Sequence, residues 1–347
     1  MKKVTKIGAS ALAGSLVATS AFAGSLSVGG TWEVTGEYVN GSGAAAYKAL
    51  SNSGNPFGSK GNLSFSGSGE TDFGTASWFM FTGDAQGSVS SHSITLDMGD
   101  MGTVGFDQGT GAFGIGTIDD MMPTAYEEIW NGTAGTSTDI LDGSGGSSGV
   151  FGYKNTFAGM DVNVEYAPSV GSGDAGDGGV SHVASVADGT SLNAAVTNSS
   201  MVEGLTFGFG VGETSYDRAS GDVANIDTAS TVVFAKYAFG PVTVGYQTNY
   251  TSGSVSTANT TIGANEVNIM GIAFNVNDSL SVSYTDYENK YLKRGSQGDV
   301  TQDTTGINLA YTMGGATFRL TDASMDNTGG VTGTNEDRTE VSLLMAF

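Results

Sequence analysis

The chain has no cysteine, four prolines, two histidines and only 13 lysines and arginines among 347 residues. Without cysteine there is no disulfide framework, no thiolate metal site and no thiol nucleophile, so stability must come from the fold itself. Few bases against 35 acidic residues give a formal charge of −22, which excludes nucleic acid as a natural partner, because phosphate binding needs clustered lysine and arginine. Past the N-terminal segment there is no run of about 18 apolar residues, which excludes ordinary membrane-spanning helices. A mean hydropathy of −0.05 remains compatible with a membrane barrel, whose strands face lipid with only every second residue.

The scarcity of histidine also bears on chemistry. His92 lies at a strand start and His182 in the loop GGVSHVASV, and neither accompanies a nucleophile motif. A Ser-His-acid triad is recognised by geometry, and nothing in this sequence singles one out. The adjacent Glu127 and Glu128 are not set across the gap that a glycosidase acid/base pair needs. DGSGG (Asp142 to Gly146) and GDAGDGG (Gly173 to Gly179) offer oxygen ligands but lack the EF-hand pattern with its terminal Glu, so they read as polar loops. The expectation is a protein that is not an enzyme and carries no cofactor and no metal.

What is present begins with MKKVTKIGASALAGSLVATSAFAG. A basic start (Lys2, Lys3, Lys6), a modest apolar run and the small-residue site Ala21-Phe22-Ala23 predict a secretory signal over 1–23 and one domain over 24–347. The signal holds three of the 13 bases and no acid, which leaves ten bases against 35 acids. Glycine is abundant, at 55 residues, without a collagen period.

The dominant pattern is alternation. In LSVGGTWEVTGEY, Leu26, Val28, Trp32, Val34 and Tyr38 share one face while Ser27, Thr31, Glu33, Thr35 and Glu37 share the other. That is a period of two, the signature of a half-buried strand. It recurs around Leu63, Ile94, Val162, Leu205, Val242, Leu280, Ile307 and Phe318, and ends in EVSLLMAF. Parity is ambiguous in Trp78-Phe79-Met80-Phe81 and in Val232-Val233-Phe234, where both faces are apolar. Seven tight connectors alternate with eight longer polar ones, near residues 40–57, 84–91, 109–149, 167–188, 213–228, 252–265, 288–303 and 324–336.

Strict alternation of short and long links predicts an all-β fold: a 16-stranded antiparallel up-and-down transmembrane β-barrel with both termini at the short-turn end. One face of every strand is serine, threonine, asparagine, glycine and charge, which a sandwich core cannot absorb but a water-filled barrel can. Outward Trp32, Tyr38, Tyr166, Tyr250 and Phe347 suit the aromatic girdles of such barrels. A secreted β-rich adhesin or repeat protein would share the composition, but no fixed repeat period is present.

Three stretches carry a family resemblance: NLSFSGSGETDFGTASWFMFTGDA, SITLDMGDMGTVGFDQGTGAFG leading into TIDDMMPTAYEEIWNG, and the terminal EVSLLMAF. The chain resembles the general porins of Gram-negative outer membranes, most of all the alphaproteobacterial type. The resemblance implies a homotrimer in the outer-membrane lipid, with short turns in the periplasm and long loops outside, and a C-terminal Phe347 recognised by the barrel-assembly machinery. It also implies a third long loop, here 109–149, folded into the barrel as a constriction.

Within that loop, Thr124 to Glu127 fits a capping box after Pro123, and Gly132 suits a C-terminus, so a helix over about Thr124 to Asn131 is expected. Tyr126, Ile129 and Trp130 would pack on the inner wall, with Glu127 and Glu128 toward water and Asp119 and Asp120 at the helix start. Those four acids are the candidate constriction. Pore-wall candidates by parity are Glu33, Glu37, Lys60, Lys154, Lys236 and Arg319, whereas Lys290, Lys293 and Arg294 fall in a long connector. The family's arginine cluster on the wall opposite the loop is mostly missing, which tilts the expectation toward cations. The reading is a channel for passive diffusion of small hydrophilic solutes and ions; the alternatives are a surface adhesin or a substrate-selective nutrient channel.

Overall fold

Alternation of apolar with small polar residues builds strands whose two faces demand different surroundings, and the only way to satisfy sixteen of them together is to curl the sheet on itself. In a computed structural model the strands are β1 (Leu26–Ser42), β2 (Phe57–Thr71), β3 (Gly74–Thr82), β4 (Val89–Asp97), β5 (Thr103–Gln108), β6 (Val150–Phe157), β7 (Met160–Ala167) and β8 (Asp188–Asn198). They continue as β9 (Leu205–Asp217), β10 (Thr228–Phe239), β11 (Val242–Ser252), β12 (Ile262–Asn277), β13 (Leu280–Lys293), β14 (Val300–Met313), β15 (Ala316–Asp326) and β16 (Asn335–Ala346). The structure describes residues 24–43, 55–83, 89–130, 149–168, 188–217, 227–252, 262–293 and 298–347. The expected signal over 1–23, His182, Arg294, Asn131 and both Gly-Asp-rich loop stretches lie outside the described residues.

Each strand pairs antiparallel with its sequence neighbours, and β16 returns to β1, closing the barrel. The closing seam runs from Thr31 opposite Ala346 to Ser42 opposite Asn335. Phe347 extends it by one residue: its N–H donates to the Gly30 carbonyl at 2.9 Å, and the Gly30 N–H donates back at 3.2 Å. Closure removes every open strand edge, which is what a sheet in lipid requires.

The short connectors gather at one end, as expected. The tightest are two-residue turns, such as Ala158-Gly159, where φ values of 51° and 80° give the left-handed pair that matches strand twist. At the other end several strands run further than the sequence pattern suggests. Lys290 and Lys293 lie in β13 rather than in a connector, and β16 begins at Asn335, ahead of EVSLLMAF.

The outward face is apolar: Val28, Val34, Leu63, Ile94, Leu192, Phe209, Val211, Tyr246, Met270, Ile307 and Leu343 are all exposed. On β13 and β14 the outward series turns acidic toward the long-loop end, from Tyr284 to Asp286 and Glu288 and from Ile307 to Asp303, which marks one edge of the apolar band. The ambiguous runs resolve by pairing. Phe79 stands opposite Ser66 and Ser93 and so faces the lumen with Phe81, their ring centroids 6.5 Å apart, while Trp78 faces out. Val233 is outward, and Val232 and Phe234 are buried on the inside.

The face assignment has a direct test. Phe209→Arg, in the outward band of β9, should lower folding stability in a bilayer by about 2–4 kcal/mol, as for cations on the lipid face of a barrel. Ser77→Arg, on the lumen side of β3, should be near neutral. Equilibrium unfolding in lipid measures both, and equal costs would overturn the assignment.

Candidate functional site

The barrel's apolar core lies inside it, between the third long loop and the wall. Phe113, Ile115, Ile118, Met122, Ile129 and Trp130 of the loop are buried. All but Phe113 form one cluster with Ala195, Val232, Phe234, Val267, Ile269, Tyr287 and Ala323 of the strands, and the Trp130 ring stacks on Tyr287 at 4.9 Å. The inner wall makes room with glycine. A Cβ on Gly152 would fall inside the Phe113 ring, and one on Gly210 would lie 2.7 Å from Ile115. Further along, Gly245 admits Met122 and Pro123 (both 2.9 Å), and Gly306 admits Ile129 (2.9 Å).

Short polar side chains of successive strands then fix the loop's backbone. Asp107 accepts from the Thr110 and Ala112 N–H groups, both at 3.1 Å, and turns the chain inward. Asn163 of β7 accepts from the Gly114 N–H (3.0 Å) and Asn193 of β8 from the Ile115 N–H (2.7 Å). Gln247 of β11 accepts from the Met121 N–H (2.9 Å) and donates to the Asp119 carbonyl (2.5 Å). Ser283 of β13 accepts from the Ala125 N–H (2.9 Å), and Asn308 of β14 donates to the Glu127 carbonyl (2.7 Å). Each such bond contributes about 1 kcal/mol net, against about 1.5–3 kcal/mol for each large apolar side chain buried. Apolar burial therefore holds the loop in, and the amides set where along the wall it sits.

The expected helix over Thr124 to Asn131 does not form. Residues 124–130 contain no helical turn, and the nearest helical piece among the described residues is a 3-10 turn at Ile115–Ile118. Thr124 is not a capping-box residue either; its hydroxyl donates to the Glu127 carbonyl (3.2 Å). The wall supplies the partners that a helix would otherwise supply to its own backbone, so an extended path is no worse satisfied. Ile129 and Trp130 still pack on the wall, as the sequence suggests.

The four loop acids separate into two groups. Asp119, Asp120 and Glu128 lie together, Asp120 hydrogen-bonded to Glu128, with Lys236 of β10 near them. Desolvation inside the barrel pushes the Asp119 carboxyl up to about 6 and the Asp120 carboxyl up to about 8, and the neighbouring Glu128 adds to both. Glu127 points the other way, into the strand seam, where its carboxylate meets Arg338 of β16 at 3.0 Å. Burial pushes Glu127 up to about 7 although Arg338 pulls it down.

At the seam, Arg338 also pairs with Glu37 of β1 (2.7 Å) and with Glu340. Arg319 of β15 pairs with Glu33 and lies 4.2 Å over the Tyr126 ring, while Lys60 reaches Glu33 at 3.6 Å. The Tyr126 hydroxyl lies between Glu340 (2.8 Å) and Glu33 (3.1 Å), and burial pushes its phenol up, which keeps it a donor. Glu33, Glu37, Lys60, Arg319 and Glu127 thus form one network, and Lys154 stands apart, its ammonium 5.7 Å from the Phe113 ring. Trp32, Tyr38, Tyr166, Tyr250 and Phe347 all face outward and are exposed.

Arg338, Glu340 and the amide track are residues that sequence reasoning missed. The two-residue alternation of EVSLLMAF, carried back through NEDRT, puts Glu336, Arg338 and Glu340 on the same inward face as Ser342, so the signal was available. The amides carried none, because inward asparagine, glutamine and serine are what any wet wall contains.

The seat itself is testable. Gly152→Ala should force Phe113 from its place and destabilise the loop by about 1–3 kcal/mol, the usual cost of overpacking. Single-channel recording should show an altered conductance; an unchanged trace would overturn the seating described here.

Comparison with curated protein sequences gives no match. Among solved structures, the chain is similar to OmpT of Vibrio cholerae in its trimer form, at 12% identity and TM-score 0.62, covering 94% of this chain and 100% of that one. It is similar to an anion-selective porin from Comamonas acidovorans at 14% identity and TM-score 0.62, covering 93% and 99%. Likeness to OmpF of Salmonella typhi is 13% identity at TM-score 0.61, covering 93% and 98%. At these identities the likeness shows the fold. The sequence match to Gram-negative porins spans residues 8–346. A closed sixteen-stranded barrel with a wet interior and an inner loop, matched over nearly its whole length, belongs to the Gram-negative porin family and is an outer-membrane channel for passive diffusion rather than an enzyme.

Proposed function

We propose that the channel favours cations and that the third loop is its narrowing, with Asp119, Asp120 and Glu128 as the groups that set ion preference. The observation that carries this is the state of the bases. Arg319 and Arg338 are ion-paired with carboxylates at the seam and little exposed, and the more exposed Lys60 reaches Glu33, so neighbouring acids offset their positive charge. The loop acids Asp119, Asp120 and Glu128 cluster with one another, with Lys236 acting on Asp120, and a cluster of that sign attracts cations and repels anions. The small hydrophilic solutes expected to cross would do so by diffusion past this point.

The same reading takes the protein as a homotrimer in outer-membrane lipid, supported by the trimer form of the similar Vibrio cholerae protein. The outward aromatic residues Trp32, Tyr38, Tyr166, Tyr250 and Phe347 would lie at the lipid interfaces, and Phe347 would be the residue recognised during barrel assembly.

In planar bilayers under a salt gradient the reversal potential should show cation preference, and the triple variant Asp119→Asn, Asp120→Asn, Glu128→Gln should move it toward zero. Anion preference of the unaltered channel would sink the proposal. A carboxyl with a raised pKa is charged above that value and neutral below it, so cation preference should be greatest above about pH 8 and decline as the pH falls toward 6. Selectivity that stays constant across that window would remove the loop acids from the account.

A further inference from the structure

We propose that Arg338 and Glu127 are positioning residues of this channel: their ion pair latches the third loop to the seam where the barrel closes, and the latch fixes how wide the path is. The inference rests on reading the loop as the narrowing. It differs in assigning the arginines a mechanical task in place of an electrostatic one.

The geometry is specific. Arg338 is 8% exposed and holds three carboxylates at once, Glu37 from β1, Glu340 from its own strand and Glu127 from the loop. A planar guanidinium suits this task because its donors diverge in a fixed fork, which a lysine ammonium does not reproduce. Tyr126, next in the chain to Glu127, is clamped between the Arg319 guanidinium over its ring and the Glu33 and Glu340 carboxylates at its hydroxyl. Glu33, Glu37, Glu127 and Glu340 therefore balance Arg319, Arg338 and Lys60 nearly one for one, and little of that charge is left to act across the lumen.

Removing Arg338 would do more than subtract a bond. Glu37 and Glu340 are fixed on strands, so the carboxylate that relieves the resulting repulsion is Glu127, the one carried by a loop. The loop end would leave the wall and take Tyr126 with it. Two strands distant in sequence, β1 and β16, supply the wall half of the latch, so it is complete only after the seam has formed.

The absence of cysteine makes the test clean. Single-channel conductance, the size limit for neutral sugars in liposome swelling and the reversal potential would be measured for Arg338→Gln and Glu127→Gln. Each would also be combined with Ala125→Cys and Ser283→Cys, two positions in contact through the 2.9 Å bond from the Ala125 N–H to the Ser283 hydroxyl, with formation of the disulfide checked by mass after oxidation. The expected result is a changed conductance and a relaxed size limit in both single variants, restored by the oxidised disulfide and lost again on reduction. A shift of reversal potential with conductance and size limit unchanged would overturn the latch and return Arg338 to an electrostatic role. If Arg338→Gln does not fold, Glu127→Gln decides alone, since it leaves Arg338 with two wall carboxylates. If both variants keep conductance and size limit while neutralising Asp119, Asp120 and Glu128 still moves the reversal potential, the latch fails and the narrowing stands; if that neutralisation also changes nothing, the narrowing fails as well.

Discussion

A sheet in lipid cannot leave a backbone group unpaired, and the ring of hydrogen bonds closed between β1 and β16 is the constraint on which the rest of this protein depends. Closure at sixteen strands fixes a circumference too large for side chains to fill, so the inward face has to be wet. That is why serine, threonine, asparagine and glycine occupy every second position. The usual relation of inside to outside is inverted: apolar residues form the outer surface, and the only extended apolar core among the described residues is the one beneath the third loop.

That core exists because glycine lets a loop come close. Where Phe113 lies on Gly152 and Ile129 on Gly306, a larger residue would push the loop into the lumen. Burial of a few large side chains gives the loop its hold, and Asn163, Asn193, Gln247, Ser283 and Asn308 give it an address on the wall. An α-helix is unnecessary under these conditions. The strands offer donors and acceptors to the loop backbone, and the loop follows the curve of the wall instead of cutting straight across as a helix would.

The charges divide along the same lines. Asp119, Asp120 and Glu128 of the loop gather with one another, while the acids of β1 and β16 pair with arginines at the seam. Packing of the loop against the wall desolvates its carboxyl groups, so Asp119 and Asp120 titrate above their ordinary range, and the neighbouring Glu128 adds to both. Charge bookkeeping by composition alone, ten bases against 35 acids after the first 23 residues, says nothing about this division.

Fold class, strand number and the facing of nearly every strand residue were legible in the sequence, because strand alternation is a local property with a period of two and each short turn carries its own chemistry. Val341, Leu343 and Met345 declare their outward face without any knowledge of β1. The helix expected over Thr124 to Asn131 failed for the complementary reason: its local signals, a Thr-x-x-Glu step after Pro123, were outcompeted by the Ser283 hydroxyl of β13 and the Asn308 amide of β14, which no window around them contains. In the same way Glu127 and Glu128 are indistinguishable as neighbours in sequence, yet one ends on Arg338 and the other beside Asp120. The sequence by itself determined which residues face lipid and which face water. Only the tertiary structure decided which charges pair with which, because each pairing depends on the register between strands far apart in the chain.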